Sequence, residues 1–324
     1  MVRSIDRFSG QRILVTGGTG FIGPHLCNAL CKSFAEIHVV SRKVISTFET
    51  RPRIWQGDLS EITTARRLLQ IIRPDVIFHL AGYAVGGRGL EFVLPTFHSN
   101  IATTVNLLTA ATEIGCNRIV VAGSMEEPVA STEDVIPSSP YAVGKWASSA
   151  YARMFNRLYN TPVVIARIFM TYGPGEPNSN KIIPYVINSL LHGESPKISS
   201  GTREVDWIYI DDLVDGLIHT AQAQNVEGCT VDLGSGRLVS IRKVVETLVK
   251  IMGSNVQPLF GSIPDRPMEQ VLIAHTEITR EKIGWKPKTS LKQGLKYTVN
   301  WHIKQFANDK VLRNEVYEAK RVDE

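Results

Sequence analysis

The chain has 324 residues, 43% of them hydrophobic and 21% charged, which is the composition of a soluble globular protein and a length that suits a large domain carrying a smaller lobe. The formal net charge of +5 is dispersed, and no basic block is interleaved with aromatic residues, so nucleic acid is not an expected partner. No apolar run approaches the roughly 20 residues that a membrane span needs. The N-terminal stretch leads into a strand pattern without a signal peptide, so we expect a cytosolic protein.

The first half of the chain alternates short apolar strands with helical stretches. Strands are predicted at residues 12–17, 36–41, 53–57, 75–82, 118–124 and 162–169, and helices at 21–33, 61–73, 96–114 and 140–159. Several strands are near-continuous β-branched runs, which is typical of parallel strands covered on both faces. Helices of this length between strands predict an α/β fold with a doubly wound parallel sheet, that is, a Rossmann fold.

The pattern changes after residue 170, where "TYGPGEPNSNK" predicts a loop. Helices are predicted at 182–192 and 241–252, with a strand-like "CTVDLGSG" between them. We predict a dinucleotide-binding domain over residues 1–172, to which 204–236 returns, and a smaller α+β substrate lobe over 173–203 and 237–324.

The four cysteines do not form a metal-binding pattern. Cys27 and Cys31 have helical spacing, but no second pair or nearby histidine completes a set of ligands. We therefore expect reduced, structural cysteines and no metal site.

A glycine-rich stretch, "VTGGTGFIGPHL", joins the first strand to the first helix. Its glycines allow a tight turn, a close approach of the backbone to a pyrophosphate and close helix–sheet packing, while the helix N-terminus offers free N–H groups to the anion. The motif follows a strand and opens a helix, which is the context that a dinucleotide site requires. The predicted cofactor-binding residues of this stretch are Gly17, Gly20, Phe21, Ile22 and Gly23.

The end of the second strand bears on the choice of dinucleotide. An NAD site usually has Asp or Glu there, whereas this strand ends in Ser41, Arg42 and Lys43. A hydroxyl and two cations suit the 2′-phosphate of NADP(H), which is the favoured cofactor. NAD stays open, since the three residues also fit a solvated basic loop. Asp58, which Leu59 follows in "GDL", is predicted to accept a hydrogen bond from the adenine amino group, or to cap a helix instead.

Several motifs taken together resemble one family. "TGGTGFIG", "GDL", "HLAG", a serine after the fifth strand and Y-x-x-x-K are similar to the extended short-chain dehydrogenase/reductases that act on nucleotide sugars as epimerases, dehydratases or 4-ketoreductases. "RIFMTYGPG", "VDWIYIDDLVDGL" and "DRPMEQVLIAHTEITREKIGW" match that family in order, over nearly the whole chain. The resemblance implies that Leu80, Ala81 and Gly82 of "HLAG" also bind the cofactor.

The resemblance assigns the chemistry to three side chains. It implies Tyr141 as the proton donor or acceptor, Lys145 as the cation that lowers its pKa and binds the nicotinamide ribose, and Ser124 as a hydrogen-bond partner of the reacting oxygen. The residue types also suit this chemistry, because hydride transfer at a carbinol carbon requires a proton on its oxygen, and a tyrosine of pKa about 10 needs a nearby cation at neutral pH. Positions four apart share a helix face. Ser139 and Pro140 predict a helix start just before Tyr141.

The chain departs from the family after Ser124. Many relatives read S-S-x-x-V-Y-G there, whereas this chain reads "GSMEEPVASTEDVIPSSPY". Glu126 stands where the family's 4,6-dehydratases have a catalytic base, but Met125 precedes it and cannot protonate a leaving hydroxyl. We predict Glu126 as a catalytic residue and leave open that Glu127 supplies the acid, or that both belong to a solvated loop. A similar "G-S-x-E-E" string occurs in some 4-keto-6-deoxy-sugar reductases.

The substrate anchors match the family only in part. Val205 replaces the arginine that commonly precedes "D-[FWY]-x-Y", and Arg203 is predicted to hold the diphosphate instead, since positions i and i+2 share a strand face. Arg266 in "DRP" matches a second family arginine that reaches the diphosphate, which a guanidinium group binds bidentately. Lys181 and Ser124 complete the predicted substrate-binding residues.

These features predict an NAD(P)-dependent oxidoreductase that transfers a hydride at C4 of a nucleoside-diphosphate hexose. Within that class, "VVSRK" and "GSMEE" favour an NADPH-dependent reductase of an NDP-4-keto-6-deoxyhexose. The alternatives are an NAD-dependent 4-epimerase or 4,6-dehydratase and, more remotely, a non-catalytic NADP-sensing or scaffold protein. Because family members are often homodimers, the resemblance also implies a homodimer that packs through the helix at 140–159.

Overall fold

The computed structural model describes residues 8–42, 52–129 and 134–322 of the chain. The strands within these ranges are β1 (Arg12–Thr16), β2 (Glu36–Ser41), β3 (Arg53–Gln56), β4 (Val76–His79), β5 (Arg118–Ser124), β6 (Val163–Ile168), β7 (Met170–Tyr172), β8 (Lys197–Ile198), β9 (Glu204–Tyr209), β10 (Thr230–Leu233), β11 (Leu238–Ser240) and β12 (Leu259–Phe260).

Helices connect the strands and cover the sheet. They are α1 (Ile22–Leu30), α2 (Ile62–Ile72), α3 (Val93–Thr96), α4 (Thr103–Ile114), α5 (Pro140–Tyr159), α6 (Ile182–Leu191), α7 (Ile210–Gln222), α8 (Ile241–Met252), α9 (Thr276–Ile283) and α10 (Leu291–Val322). None of the helices in the described ranges combines the length and apolarity needed to cross a bilayer.

The main sheet has seven parallel strands in the order β10-β6-β5-β4-β1-β2-β3. Chain order reverses between β1 and β4, which is the point where doubly wound sheets bind their ligands beyond the carboxyl ends of the strands. The predicted Rossmann fold is therefore confirmed. The functional residues are expected at the ends of β1, β4 and β5.

Both faces of the sheet are buried. Successive residues of one strand enter two different apolar clusters: Ile13 and Val15 belong to one, and Leu14 between them to the other. The first cluster includes residues of α1, α6, α7 and α8, and the second includes residues of α2, α4 and α5. This double burial explains why the strands are almost continuously apolar in the sequence.

Smaller sheets lie outside the main one. Strand β9 pairs in parallel with β7 and antiparallel with β11, while β8 pairs with β12. Strand β10, by contrast, is the outermost strand of the main sheet beside β6. The division of the chain into a dinucleotide-binding domain and a substrate lobe stays a prediction.

Two elements differ from the predicted ones. The helix predicted at 96–114 is interrupted by a π-helical stretch, Phe97–Ala102, between α3 and α4. Single π-helical turns carry no simple sequence signal and often occur at functional sites. The C-terminal segment, for which no single element was predicted, forms the 32-residue helix α10.

Candidate active site

The glycine loop wraps tightly around the start of α1. Gly17 has φ +69°, and a Cβ there would lie 2.6 Å from the Ala81 nitrogen and 2.7 Å from the Leu80 carbonyl carbon. A Cβ at Gly23 would lie 2.4 Å from the Gly17 oxygen, so both positions require glycine. Gly20 closes the turn with a hydrogen bond from its N–H to the same oxygen at 3.1 Å.

The N-terminus of α1 suits an anion. Phe21 is the N-cap residue and Ile22 the first helical residue; no side chain caps the helix, and its first turn carries no acidic residue. The free N–H groups and the positive end of the helix dipole therefore fit a pyrophosphate. These features of the loop and the helix fit the dinucleotide that the sequence predicts.

The adenosine end of the predicted site lies beyond β2 and β3. The Asp58 carboxylate accepts a hydrogen bond from the Ser60 N–H at 2.9 Å. Burial raises the pKa of Asp58, but the bonds from Ser60 and the nearby Arg42 guanidinium outweigh it, so the pKa is lowered overall. The Ser41 carbonyl accepts a bond from the Gly57 N–H at 3.0 Å. Arg42 is exposed.

Two further residues, Leu59 and Lys43, are predicted at this end of the site. Leu59 is buried in the apolar cluster beneath α2 and α4, so its side chain serves packing. Lys43 lies outside the described residues.

The end of β4 is held by a buried polar network. His79 contacts the Thr16 hydroxyl at 2.7 Å and the Thr104 hydroxyl at 2.9 Å. Burial and the Lys145 ammonium lower the pKa of His79 to about 3, so the imidazole is neutral at physiological pH. The Ala81 N–H donates to the Thr16 hydroxyl at 3.2 Å. The network thus joins the predicted cofactor residues of "HLAG" to the glycine loop.

Asn100 extends this arrangement towards α5. It lies in the π-helical stretch, and its Oδ1 accepts a hydrogen bond from the Tyr83 N–H at 2.6 Å. A Cβ at Gly82 would lie 3.0 Å from Asn100 Oδ1 and 3.5 Å from Lys145 Nζ, and a Cβ at Gly144 would lie 3.2 Å from Asn100 Nδ2. The two glycines therefore leave room for Asn100 to pack against both the loop after β4 and the first turns of α5.

Ser124 and Tyr141 meet as the sequence predicts. Ser124 ends β5, and Tyr141 lies in the first turn of α5, whose N-cap Ser139 accepts a bond from the Ala142 N–H at 3.2 Å. A side-chain hydrogen bond with Ser124 lowers the pKa of Tyr141, but burial dominates and raises it to about 12. The phenol is therefore protonated at neutral pH.

Lys145 lies one turn further along α5 and is buried. Its Nζ donates to the Ala122 carbonyl at 2.7 Å. Burial lowers the pKa of Lys145 to about 8, against an opposing effect of Glu127. The lowering of the Tyr141 pKa by Lys145 that the resemblance implied stays a prediction, since in the described structure the ammonium group bonds to a backbone carbonyl and burial raises the pKa of Tyr141.

The structure brings Glu126 and Arg203 together. Nη2 of Arg203 donates to Oε1 of Glu126 at 3.2 Å, and Nη1 lies 3.0 Å from Oε1 of Glu269. Nη2 also donates to the carbonyl of Gln270 at 3.3 Å. Glu126 and Arg203, the predicted catalytic residue and the predicted diphosphate anchor, thus form an ion pair. Glu269 and Gln270, from a third segment of the chain, complete this ion group.

The other predicted substrate residues lie in different places. Lys181 pairs with Glu176 at 2.8 Å, and its Nζ is 5.8 Å from the ring centroid of Phe21, on the side of the glycine loop. Arg266 is exposed, with Nη1 3.6 Å from the place of a Cβ at Gly86. The structure does not place Lys181 in the ion group of Arg203.

Sequence reasoning missed Arg88. Its Nε donates to the Ser138 carbonyl at 2.7 Å, and its Nη2 donates to the Pro267 carbonyl. It therefore joins the loop after β4 to the start of α5 and to the segment of Arg266. The glycines on either side of Arg88, in "GGRG", marked an unusual loop in the sequence, but not its partners.

The sheet order, the glycine loop at the reversal point and the meeting of Ser124, Tyr141 and Lys145 define an enzyme of the extended short-chain dehydrogenase/reductase type. A family model described as "NAD dependent epimerase/dehydratase family" matches residues 13–234. The chain belongs to this family, as the resemblance implied.

Individual relatives share about a quarter of their residues with the chain. It is 25% identical over 322 residues to a mouse dTDP-D-glucose 4,6-dehydratase, covering 92% of the chain and 90% of the relative. A Thermotoga maritima UDP-glucose 4-epimerase, solved with UDP-glucose, is 25% identical with a TM-score of 0.82, covering 91% of this chain and 99% of that one. A Bacillus cereus UDP-glucuronic acid 4-epimerase, solved with UDP-glucuronic acid and NAD, is 27% identical with a TM-score of 0.80 and the same coverage.

Proposed function

We propose that the protein catalyses NAD(P)-dependent hydride transfer at C4 of a nucleoside-diphosphate hexose, with Tyr141 as the proton donor or acceptor. The observation that carries the proposal is the Ser124–Tyr141 hydrogen bond beside Lys145, at the end of β5 and next to the predicted cofactor loop. The nucleotide-sugar ligands of the two solved epimerases support the substrate class.

The chain's own residues suit this reaction. The bound nicotinamide supplies or accepts the hydride. Tyr141 would move the proton of the sugar oxygen, Ser124 would hold that oxygen by a hydrogen bond, and Lys145, one helical turn further along α5, would bind the nicotinamide ribose. Ser124 ends β5, and Tyr141 and Lys145 reach this strand from α5, on the side where doubly wound sheets bind their ligands.

The surroundings of Glu126 argue against 4,6-dehydration. Loss of water needs a base for the C5 proton and an acid for the leaving hydroxyl. Met125 at the acid position is buried, and Glu127 is buried with its carboxylate turned to the backbone of Ser124. Without an accessible acid, oxidoreduction at C4 is the reaction that these side chains support.

Within C4 chemistry we favour an NADPH-dependent reductase of an NDP-4-keto-6-deoxyhexose. Arg42 at the end of β2 lies close enough to Asp58 to help lower its pKa, at the place where the ribose 2′-phosphate is expected. Tyr141 keeps its proton at neutral pH, which is the form that a ketone reduction consumes. The position of Arg42 agrees with the absence of an acid at the end of β2 in the sequence.

A 4-epimerase that retains NAD is the second candidate, and the solved epimerases of similar fold favour it. Purified protein distinguishes the two. A reductase oxidises added NADPH with a 4-keto sugar nucleotide, whereas an epimerase retains NAD and turns over without added cofactor. Retained NAD together with cofactor-free turnover would overturn the reductase.

The role of Tyr141 has its own test. Tyr141→Phe should lose hydride transfer by about 10²–10⁴-fold while still binding cofactor, since only the proton relay is removed. If Tyr141→Phe keeps its activity, Tyr141 is not the proton donor or acceptor. Binding of NADPH without turnover of any sugar nucleotide would favour the non-catalytic alternative.

We also propose a homodimer that packs through α5 and the neighbouring helical segment. Large apolar side chains are exposed there in the described structure, among them Leu94, Phe97, Val143 and Trp146. Covering such a patch is the expected use of an exposed apolar surface. Light scattering should give twice the monomer mass, and Trp146→Asp should return the mass to that of one chain.

A further inference from the structure

A carboxylate lies buried beside the active site, and the proposed reaction does not consume it. Glu127 follows Ser124 by three residues and is 5% exposed. Its burial excludes the solvated-loop interpretation that the sequence left open. A buried carboxylate is costly unless hydrogen bonds and opposite charges compensate for it, so its surroundings are informative.

The place of this carboxylate is well defined. Oε1 of Glu127 accepts a hydrogen bond from the Ser124 N–H at 2.7 Å and one from the Ser149 hydroxyl at 3.0 Å. A Cβ at Gly123 would lie 2.7 Å from the same oxygen, so glycine leaves room for it. Gly123 and Ser124 of β5 and Ser149 of α5 thus surround the carboxylate of Glu127.

The backbone of the same turn is also held. Nε2 of Gln270 donates to the carbonyls of Met125 and Glu127, at 2.6 and 2.8 Å. These bonds tie the turn to a distant segment of the chain. The Glu127 side chain cannot leave its place without breaking the bond that fixes the Ser124 backbone.

The charges around Glu127 come from several elements. The pKa of Glu127 is raised overall by burial, and its two hydrogen bonds and the cations Lys145 and Arg153 of α5, which favour the charged form, oppose the increase only in part. Glu127 in turn raises the pKa of Tyr141, after burial and Glu126, and opposes the fall in the pKa of Lys145. Further charged or titratable groups lie next to these residues. The neutral His79 is near Lys145, and Glu126 pairs with Arg203, which also pairs with Glu269.

We propose that Glu127 is a positioning residue of the active site: it fixes Ser124 through the backbone N–H and holds a negative charge near Tyr141 and Lys145, so that the resting site carries a protonated Tyr141 ready to reduce a ketone. The direction of the reaction in this inference rests on the proposed function. The electrostatic effect of Glu127 on Tyr141 does not depend on which sugar is bound.

The chemical consequence follows from proton balance. In reduction, the carbonyl carbon receives a hydride from the reduced nicotinamide, and the carbonyl oxygen receives the Tyr141 proton. The ketone becomes an alcohol, the nicotinamide is oxidised, and Tyr141 is left as a phenolate that solvent must reprotonate. A fixed negative charge nearby disfavours the phenolate and adds to the effect of burial, which is the larger cause of the raised Tyr141 pKa.

The experiment titrates Tyr141 without any substrate. The near-ultraviolet phenolate absorbance of the protein is measured against pH, and the titration of Tyr141→Phe is subtracted to isolate one phenol. In Glu127→Gln the midpoint of Tyr141 should fall by about one pH unit, because the phenolate no longer faces a neighbouring negative charge at an effective dielectric constant near 20. An unchanged midpoint in a folded Glu127→Gln protein would overturn the inference.

Control variants distinguish the loss of the Glu127 charge from a loss of folded structure. Glu113→Gln removes an exposed carboxylate of α4 that pairs with Arg66 and should leave the midpoint unchanged. Glu127→Leu is a second neutral variant, for use if the amide does not allow folding. The wild-type protein gives a test that needs no Glu127 variant: a Tyr141 midpoint at or below about 10, the ordinary value of tyrosine, contradicts the proposal.

Kinetics distinguish this inference from the proposed function. With NADPH and a 4-keto sugar nucleotide, the alkaline limb of kcat/KM should move to lower pH in Glu127→Gln, a shift that a purely structural role would not produce. If the Tyr141 midpoint moves but no sugar nucleotide is reduced, the proposed function fails and the inference about Glu127 stands. If a sugar nucleotide is reduced but the midpoint does not move, the proposed function stands and the inference about Glu127 fails.

Discussion

Nη2 of Arg203 donates to Oε1 of Glu126 at 3.2 Å, and Glu126 lies two residues after Ser124, the predicted hydrogen-bond partner of the reacting oxygen. The guanidinium also meets Glu269 at 3.0 Å, and the three side chains are 14–22% exposed. One cation therefore lies between two carboxylates that come from separate parts of the chain. Glu126 is the predicted catalytic residue whose role this pairing constrains most, because the guanidinium of Arg203 occupies one of its carboxylate oxygens.

Glu126→Gln should lower the kcat of ketone reduction by less than about tenfold, because hydride transfer at C4 does not use a second base; removing a general base would cost about 10²–10⁴-fold. The measurement is steady-state oxidation of NADPH with a 4-keto sugar nucleotide. Glu269→Gln is the matched control, since it removes the other carboxylate from the same guanidinium. A loss of two orders of magnitude in Glu126→Gln alone would instead identify Glu126 as an acid–base residue.

The pH dependence should reflect Lys145. Its pKa is lowered to about 8, so kcat/KM should fall as the pH rises through 8 and the ammonium loses its charge. The Lys145 contribution to stability should change in the opposite direction. Between about 8 and the ordinary value of 10.5 Lys145 is protonated in the unfolded chain but not in the folded one, so this group makes the free energy of unfolding rise with pH. Above pH 9 the thiols of Cys27 and Cys116 act against it, because burial raises their pKa values to about 12 and about 11.

Thermal unfolding and kinetics at matched pH values check both parts of this prediction. Lys145→Met lacks the Lys145 contribution, so the free energy of unfolding of the wild-type protein should rise relative to that of the variant as the pH increases over that interval. An activity that stays constant to pH 10 would contradict the assignment of Lys145 as a required cation.

Arg42 should set the preference between the two dinucleotides. Arg42→Ala should weaken NADPH binding by about 10–100-fold and leave NADH binding nearly unchanged, because only the 2′-phosphate forms a charge-assisted bond with this guanidinium. Isothermal titration of both cofactors measures the ratio. Arg66→Ala, which removes an exposed arginine of α2, is the control. Equal losses for NADPH and NADH would place Arg42 away from the ribose.

Gly17 should be essential for cofactor binding for two reasons: there is no room for a Cβ, and the backbone has a positive φ. Gly17→Ala meets the backbone of Leu80 and Ala81 within 2.8 Å, whereas Gly253, at φ +60°, has no atom within 4 Å of an added Cβ. Both alanine variants should lose about 1–2 kcal/mol from the left-handed backbone conformation. Only Gly17→Ala should lose further stability and dinucleotide affinity, as measured by denaturant unfolding and cofactor titration. Equal effects in the two variants would contradict the close-packing argument.

Local patterns determined a large part of the protein. The β-branched runs separated by helices predicted the parallel sheet, and the glycine spacing after β1 predicted the turn that opens α1. Ser139 and Pro140 predicted the start of α5, which the Ser139 cap confirms. These features depend on neighbours a few residues apart, whose geometry is set by backbone conformation and helical period.

The tertiary structure decided which charges meet. Glu126 and Glu127 are adjacent in sequence, yet one pairs with Arg203 and the other is buried against the Ser124 N–H. Nothing in "GSMEEP" distinguishes them, because Glu126 pairs with Arg203, 77 residues further along the chain, and Glu127 bonds to Ser149 of α5. The sequence by itself therefore established the fold and predicted the dinucleotide loop and the Tyr141–Lys145 pair, whereas only the packing of other segments set the electrostatics that those residues experience.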